Sequence, residues 1–207
     1  MPHDHHHGEH EAIITEDEAG NIEAQIIVDA LQDVLIAKGL LTALEVTGAI
    51  AKLESPGIHL GAKVIAKAWT DPAYHARLLV DGRAAIQELD ISVTEASIIV
   101  VENTPQVHNL VTCTLCSCYP RSILGQPPSW YISKAYRARS VREPRKVLAE
   151  FGLDLPEDTQ LIVHDSNADM RYLVLPEAPA DLQTRSIADL EALISRDHLI
   201  GVTRAVT

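Results

Sequence analysis

The sequence predicts an α+β protein, with a helical N-terminal arm followed by an α/β domain. Two observations carry this. Up to about residue 91 the apolar residues recur at helical spacing and turn clusters are few. From Ser92 onward, short β-branched runs alternate with helical stretches and with turns bearing Pro and Gly. A third feature sets the chemistry: the three cysteines of the chain all fall within six residues of the second part.

Residues 1–20 lack periodicity and are expected to form a disordered tail. His3, His5, His6, His7 and His10 stand there among acidic residues. Imidazole suits cobalt and nickel, so the stretch reads either as plain polar disorder or as a loose metal-scavenging arm. Residues 21–91 are the helical arm. Ile27, Leu31, Val34 and Leu35 share one helix face between Ile22 and Lys38, and Gly39 is a natural stop. A second helix is expected over 41–53, ended by Ser55-Pro56-Gly57, and a third over 60–69. Asp71-Pro72 reads as an N-cap followed by a first-turn proline, opening a helix that runs to about Leu89.

Residues 92–207 are expected to form an α/β domain, which bears the three cysteines. Strands are expected at 98–101 and 107–112. The cysteines follow the second strand directly, on irregular backbone. Helices are expected at 129–135 and 144–151, the latter ended by Gly152. Runs at 161–164 and 171–175 are expected to pair as a hairpin around Asp165-Ser166-Asn167-Ala168-Asp169, and 187–195 to form a last helix.

Composition narrows the function. Apolar residues make up 46% of the 207-residue chain, enough for a core. The net charge of -12 argues against nucleic acid, whose phosphates need clustered cations. Arg137, Arg139, Arg142, Arg145 and Lys146 make one basic stretch, read as a solvated helix or as a contact with an acidic partner surface. No apolar run approaches the roughly 20 residues of a membrane span. Unpaired thiols, with no charged and apolar leader at the start, point to the cytoplasm.

The cysteine run is Cys113-Thr114-Leu115-Cys116-Ser117-Cys118. Three thiols packed this closely are not core filler; they converge on one point, and that point is a metal. If Cys116 and Cys118 both bind one ion, the amide nitrogens of Ser117 and Cys118 lie within its reach. Two sulfurs and two nitrogens then make a plane through five- and six-membered chelate rings. Cys113 caps that plane from below, and the sixth position is left for water or substrate. An amide nitrogen must lose its proton to bind, which favours Co(III) or Fe(III) over zinc. The alternatives fit less well. A structural zinc site wants four protein ligands, with His108 the available fourth. An iron–sulfur cluster wants four thiolates. A disulfide across so short a loop staples little.

The run Val111-Thr112-Cys113-Thr114-Leu115-Cys116-Ser117-Cys118-Tyr119-Pro120 resembles the metal claw of nitrile hydratase alpha subunits. So do His59-Leu60-Gly61-Ala62-Lys63-Val64, Lys67-Ala68-Trp69-Thr70-Asp71-Pro72, Val101-Glu102-Asn103-Thr104-Pro105, Trp130-Tyr131, Tyr136-Arg137-Ala138-Arg139 and Arg171-Tyr172-Leu173-Val174-Leu175-Pro176. The match runs in unbroken order from about Gly39 to Val202.

The resemblance implies a layered α-β-β-α domain and an obligate beta subunit, with the metal at their interface. It implies cobalt as Co3+, because Thr114 and Tyr119 follow the cobalt type; iron as Fe3+ is the alternative. It further implies that Cys116 matures to a sulfinate and Cys118 to a sulfenate, the first rungs of thiol oxidation. Cys113, Cys116, Ser117 and Cys118 then hold the metal, and Cys118, Ser117 and Cys116 act on a small-molecule nitrile. A cobalt-inserting activator is a further expected partner. Two arginines of the beta subunit are expected to hold the sulfur oxygens, and Asp165 is read as a turn residue or a subunit contact. The metal-bearing subunit of thiocyanate hydrolase carries the same claw and is the nearest alternative; a non-catalytic zinc-binding module is the other. The chain departs from the family pattern at two places. Arg121-Ser122 stands where tryptophan and proline are usual. Ser92-Val93-Thr94-Glu95-Ala96 stands where a Gly-rich segment with a glutamine is often found. Both are expected near the substrate, where a guanidinium in place of an indole makes the wall polar.

Overall fold

The computed structural model describes residues 18–204. The expected tail and its histidines lie outside the described residues. Helix α1 spans Glu18–Ala37 and α2 spans Ala43–Glu54. A capping box starts α2: Thr42 Oγ1 accepts from Glu45 N–H (3.1 Å) and Glu45 Oε2 accepts from Thr42 N–H (2.8 Å). Neither helix packs extensively on another element, and α2 buries no residue. Ile27, Leu31, Leu44 and Leu53 leave apolar surface open along this arm.

The core begins at α3 (Ile58–Thr70), which buries Ala62, Val64, Ile65, Ala66 and Ala68. The helix expected to run from Pro72 to Leu89 is two helices, α4 (Pro72–Val80) and α5 (Gly82–Gln87). Asp71 caps the first, accepting from Ala73 and Tyr74 N–H at 3.0 Å, and Asp81 caps the second by accepting from Ala84 N–H at 3.0 Å. The break lets the chain close onto the first strand. A Cβ on Gly82 would lie 2.5 Å from the Ile98 carbonyl oxygen, so only glycine fits this approach.

The second part comprises β1 (Ser97–Glu102), β2 (Val107–Thr112), α6 (Arg121–Leu124), α7 (Ser129–Ile132), α8 (Lys134–Arg142), α9 (Pro144–Glu150), β3 (Gln160–Asp165), β4 (Met170–Leu175), a 3-10 turn at Leu182–Thr184, α10 (Ile187–Leu193) and α11 (Arg196–Ile200). Ser133 separates α7 from α8, where one helix was expected, and caps the latter through Tyr136 N–H. The last expected helix ends at Leu193, and α11 follows it.

The expected hairpin of β3 and β4 is not formed. Both strands exist, but β3 pairs parallel with β2 and β4 pairs parallel with β1. The intervening loop turns the chain from one sheet to the other. Ser166 N–H donates to Thr112 O (2.8 Å), carrying the β2–β3 ladder past its end, and Asn167 Oδ1 then accepts from Asp169 and Met170 N–H. Helices α4 and α5 lie on β1, α11 on β4 and β2, α8 on β2 and α9 on β3, while β2 meets β4. Leu110, Val111, Leu173 and Val174 are fully buried between them. Truncating one of these to alanine costs about 2–5 kcal/mol.

Gly201 locks α11 onto β2. Its φ is +84°, and a Cβ there would overlap the Asn109 carbonyl at 1.9 Å. His108 Nε2 bonds to Gly201 O at 2.8 Å, its Nδ1 lies 3.4 Å from Asn103 Nδ2, and its ring is wholly buried. His108 therefore ties strand to helix rather than serving as a metal ligand.

Candidate metal centre

The claw hangs from the end of β2, beside the end of β3, where Thr112 and Asp165 are register partners. Its ends are pinned by hydrogen bonds. Asp165 accepts from Thr114 N–H (2.8 Å) and from the Thr114 hydroxyl (2.6 Å). Tyr131 O–H donates to the Cys118 carbonyl (2.8 Å), Tyr136 O–H donates to the Val111 carbonyl (2.7 Å), and the Ser140 hydroxyl donates to Thr112 Oγ1 (2.9 Å). Asp165 is thus neither a hairpin residue nor a bystander; it holds the claw's first turn. Tyr131, Tyr136, Trp130 and Phe151 stack edge to face beneath the loop and make its floor rigid.

Within that frame the sulfurs converge. Cys113 and Cys118 are buried and Cys116 is exposed, and all three Sγ atoms lie within 4.8 Å of one another. Cys116 Sγ is 3.0 Å from Cys118 Sγ and 3.6 Å from Cys113 Sγ. A disulfide needs about 2.05 Å, so no pair is bridged. A metal–sulfur bond of about 2.3 Å at right angles places neighbouring sulfurs about 3.3 Å apart, and the two separations bracket that value. Cys116 N–H donates to Cys113 Sγ (3.4 Å). The donor set suits one ion. Among the described residues no fourth side chain joins the cluster, which leaves it short of a structural zinc site.

The Cys116 and Cys118 thiols differ electrostatically. The Cys118 thiol, by hydrogen bonding, draws the Cys116 thiol below its usual value. Cys113 and the amides of Ser117 and Cys118 help, against the opposing effect of burial. Burial, with the adjoining Cys116 and Cys113 sulfurs, pushes the Cys118 thiol up to about 12, and the charge of Arg171 acts in the opposite sense.

A cavity of about 520 Å³ opens over the claw. Its lining includes Glu95, Ser117, Cys118, Arg121 and Arg171. Ser117 faces this space, and Arg121 stands at its side. Glu95 enters the sequence reading only within the departing segment 92–96, and Arg171 only within a family motif; neither is singled out there. A charged residue interrupting the apolar approach to β1 was the signal for Glu95; Arg171 lay inside a family motif with nothing local to single it out. The basic stretch divides on inspection. Arg139 pairs with Glu143 and Glu150, and Arg145 donates to the carbonyls of Leu155, Pro156 and Thr159, so these are structural. Arg137 and Arg142 instead line a groove with Lys134 beside Thr114.

Residues 22–203 match the family model described as nitrile hydratase, alpha chain. The chain is 43% identical over 189 residues to the low-molecular weight cobalt-containing nitrile hydratase subunit alpha of Rhodococcus rhodochrous, covering 90% of this chain and 91% of the relative. It is 39% identical over 190 residues to the thiocyanate hydrolase subunit gamma of Thiobacillus thioparus, covering 86% and 78%. Its fold superposes on a double mutant of the Fe-type nitrile hydratase from Comamonas testosteroni Ni1 with a TM-score of 0.80, at 44% identity and 92% coverage of both chains. Cysteine claw, floor and strand pairing thus sit in a chain that belongs to the nitrile hydratase alpha-chain family.

Proposed function

We propose that this chain is the metal-bearing subunit of a cobalt nitrile hydratase, converting a nitrile and water to the amide. The observation that carries the reading is the convergence of three unbridged sulfurs on one point. Cys113, Cys116 and Cys118, with the two amides, would hold the ion. Cobalt is favoured over iron by Thr114 and by the cobalt-containing relatives. A trivalent ion there supplies Lewis acidity toward the nitrile. Cys116 is taken as a sulfinate and Cys118 as a sulfenate. The Cys118 oxygen removes a proton from water as the water oxygen attacks the nitrile carbon. A carbon–oxygen bond forms, one π bond of the nitrile breaks, and the proton passes to nitrogen to give the imidic acid, whose hydroxyl proton then moves to nitrogen to give the amide. Ser117 lines the cavity where this occurs.

A beta subunit is the expected partner. The open apolar surface of α1 and α2 supports this, since a lone monomer rarely leaves so much uncovered. The three unpaired thiols favour the cytoplasm, and no described helix is long and apolar enough to cross a membrane.

One observation supports a second reading. Arg121 and Arg171 line the same cavity, which suits an anion such as thiocyanate. The test is to co-express the chain with its partner and cobalt, then compare amide formation from nitriles with thiocyanate breakdown. Nitrile turnover supports the first reading, and thiocyanate turnover alone supports the second. One zinc per chain with unoxidised cysteines overturns both.

A further inference from the structure

The two places where the chain departs from its family pattern touch each other. Thr94 N–H donates to Ser122 Oγ (3.0 Å), and the two hydroxyls lie 2.9 Å apart. Ser122 N–H donates to Glu95 Oε1 (3.0 Å). Residues 27 and 28 positions apart are thereby joined by three hydrogen bonds, between the segment before β1 and the first turn of α6. The clasp is built, not incidental: Glu95 is 8% exposed and Ser122 6%. Glu95 Oε2 is buried with no hydrogen-bond partner among the described residues. A carboxylate so enclosed depends on the one donor it has, the Ser122 N–H. A proline at 122 could supply neither that N–H nor the hydroxyl, so the serine and the Thr94-Glu95 pair make sense only together.

The clasp lies in the cavity wall. Thr94, Glu95 and Arg121 all line the cavity with Cys116, Ser117 and Cys118. Arg121 is the residue before Ser122, is exposed, and makes no side-chain hydrogen bond or ion pair among the described residues. Arg171 lines the same space; its Nη1 donates to the Asn167 and Met170 carbonyls, and its Nε is buried with no hydrogen-bond partner among the described residues. Glu95 is committed within the wall through Oε1, while the two guanidinium groups keep unused donors. We infer that Thr94, Glu95 and Ser122 are positioning residues that hold Arg121 at the cavity over the claw, and that the site thereby selects nitriles bearing an anionic or strongly hydrogen-bond-accepting group. This rests on the nitrile-hydrating reading above.

The test uses the holoenzyme assembled with its partner and metal. Its probes are propionitrile and cyanoacetate, which are similar in size and differ by a methyl against a carboxylate. Both kcat/KM and the calorimetric Kd are measured for each. Arg121→Ala should lower the preference for cyanoacetate about tenfold, the worth of one charge-assisted hydrogen bond. Ser122→Ala should lower it by roughly a third to a half of that on a logarithmic scale, read in KM and Kd rather than in kcat. In the Arg121→Ala background Ser122→Ala should add nothing, because its effect passes through Arg121. Ser122→Thr, which keeps the hydroxyl, should restore the preference. Thr94→Val, which leaves the Ser122–Glu95 bond in place, gives the same reading should Ser122→Ala fail to assemble. Equal effects of Ser122→Ala in both backgrounds, or no effect in either, would overturn the inference. So would a parallel loss of metal, which marks a structural role only. If neither probe is hydrated, the proposed function fails, while the two Kd values still decide whether the clasp aims Arg121.

Discussion

The claw and the wall above it are built in opposite ways. The claw draws its three converging sulfurs from six consecutive residues, and its neighbours hold it in place. The wall is assembled from residues near 95, 121 and 171, brought together by sheet pairing and a polar clasp. A short motif can fix chemistry because chelate rings close locally. Selectivity depends on distant segments, so it changes when two of them change together. The same metal chemistry can in this way serve different substrates.

The sharpest way to break the comparison is to remove a ligand. Cys113→Ala, Cys116→Ala or Cys118→Ala should each abolish stable cobalt binding and turnover, because no described side chain replaces the lost donor. Full metal content in any of the three, by elemental analysis, would show that the claw is not self-contained.

Asp165 comes next, as the group that ties the claw to β3. Asp165→Ala removes the acceptor of two hydrogen bonds to Thr114. Metal affinity should fall about 10–100-fold, the usual cost of losing a group that orients ligands. Asp165→Asn, which keeps one acceptor, should lose less. Equal affinity in all three forms by metal competition would remove Asp165 from the site.

The wall is probed with less violence. Arg121→Trp should shift selectivity toward small apolar nitriles by roughly tenfold, since burying an indole edge is worth about 1.4 kcal/mol or more. Metal content should not change. Adding Ser122→Pro would confuse the result, because it removes the donor to Glu95. An unchanged ratio of kcat/KM between an aliphatic and a polar nitrile would mean that Arg121 faces away from substrate.

Smaller effects come from the support beneath both regions. Tyr131→Phe deletes the bond to the Cys118 carbonyl and should lower stability by about 1 kcal/mol. Denaturant unfolding reads this directly. The pH response comes from His108 and His164. Burial lowers both below the ordinary histidine value, opposed at His108 by its bond to Gly201 O. The unfolded chain therefore binds more protons as the pH falls below about 6.5, so stability is full above that value and declines beneath it. His108→Asn should flatten the decline in melting temperature between about pH 6.5 and 5. An unchanged slope would assign the decline to other groups.

What could be read from sequence follows the same division. The helices up to α3, the four strands and the cysteine cluster are local, and periodicity or spacing exposes them. The break at Asp81 was missed because it answers to Ile98, sixteen residues beyond Gly82, through the missing Cβ of that glycine. The hairpin was wrong because two adjacent strands each found a better parallel partner earlier in the chain. Arg121 and the segment bearing Glu95 are both expected near the substrate, but nothing in the sequence says that Ser122 and Glu95 bond to each other.

The central claim is that this chain, with its partner, carries one cobalt in an oxidised cysteine claw. The most direct measurement is the mass of the Cys113–Cys118 peptide from the assembled protein, together with elemental analysis of the same sample. The expected result is one cobalt per chain, two added oxygens on Cys116 and one on Cys118, with Cys113 unmodified. Three unoxidised thiols with stoichiometric zinc would contradict it.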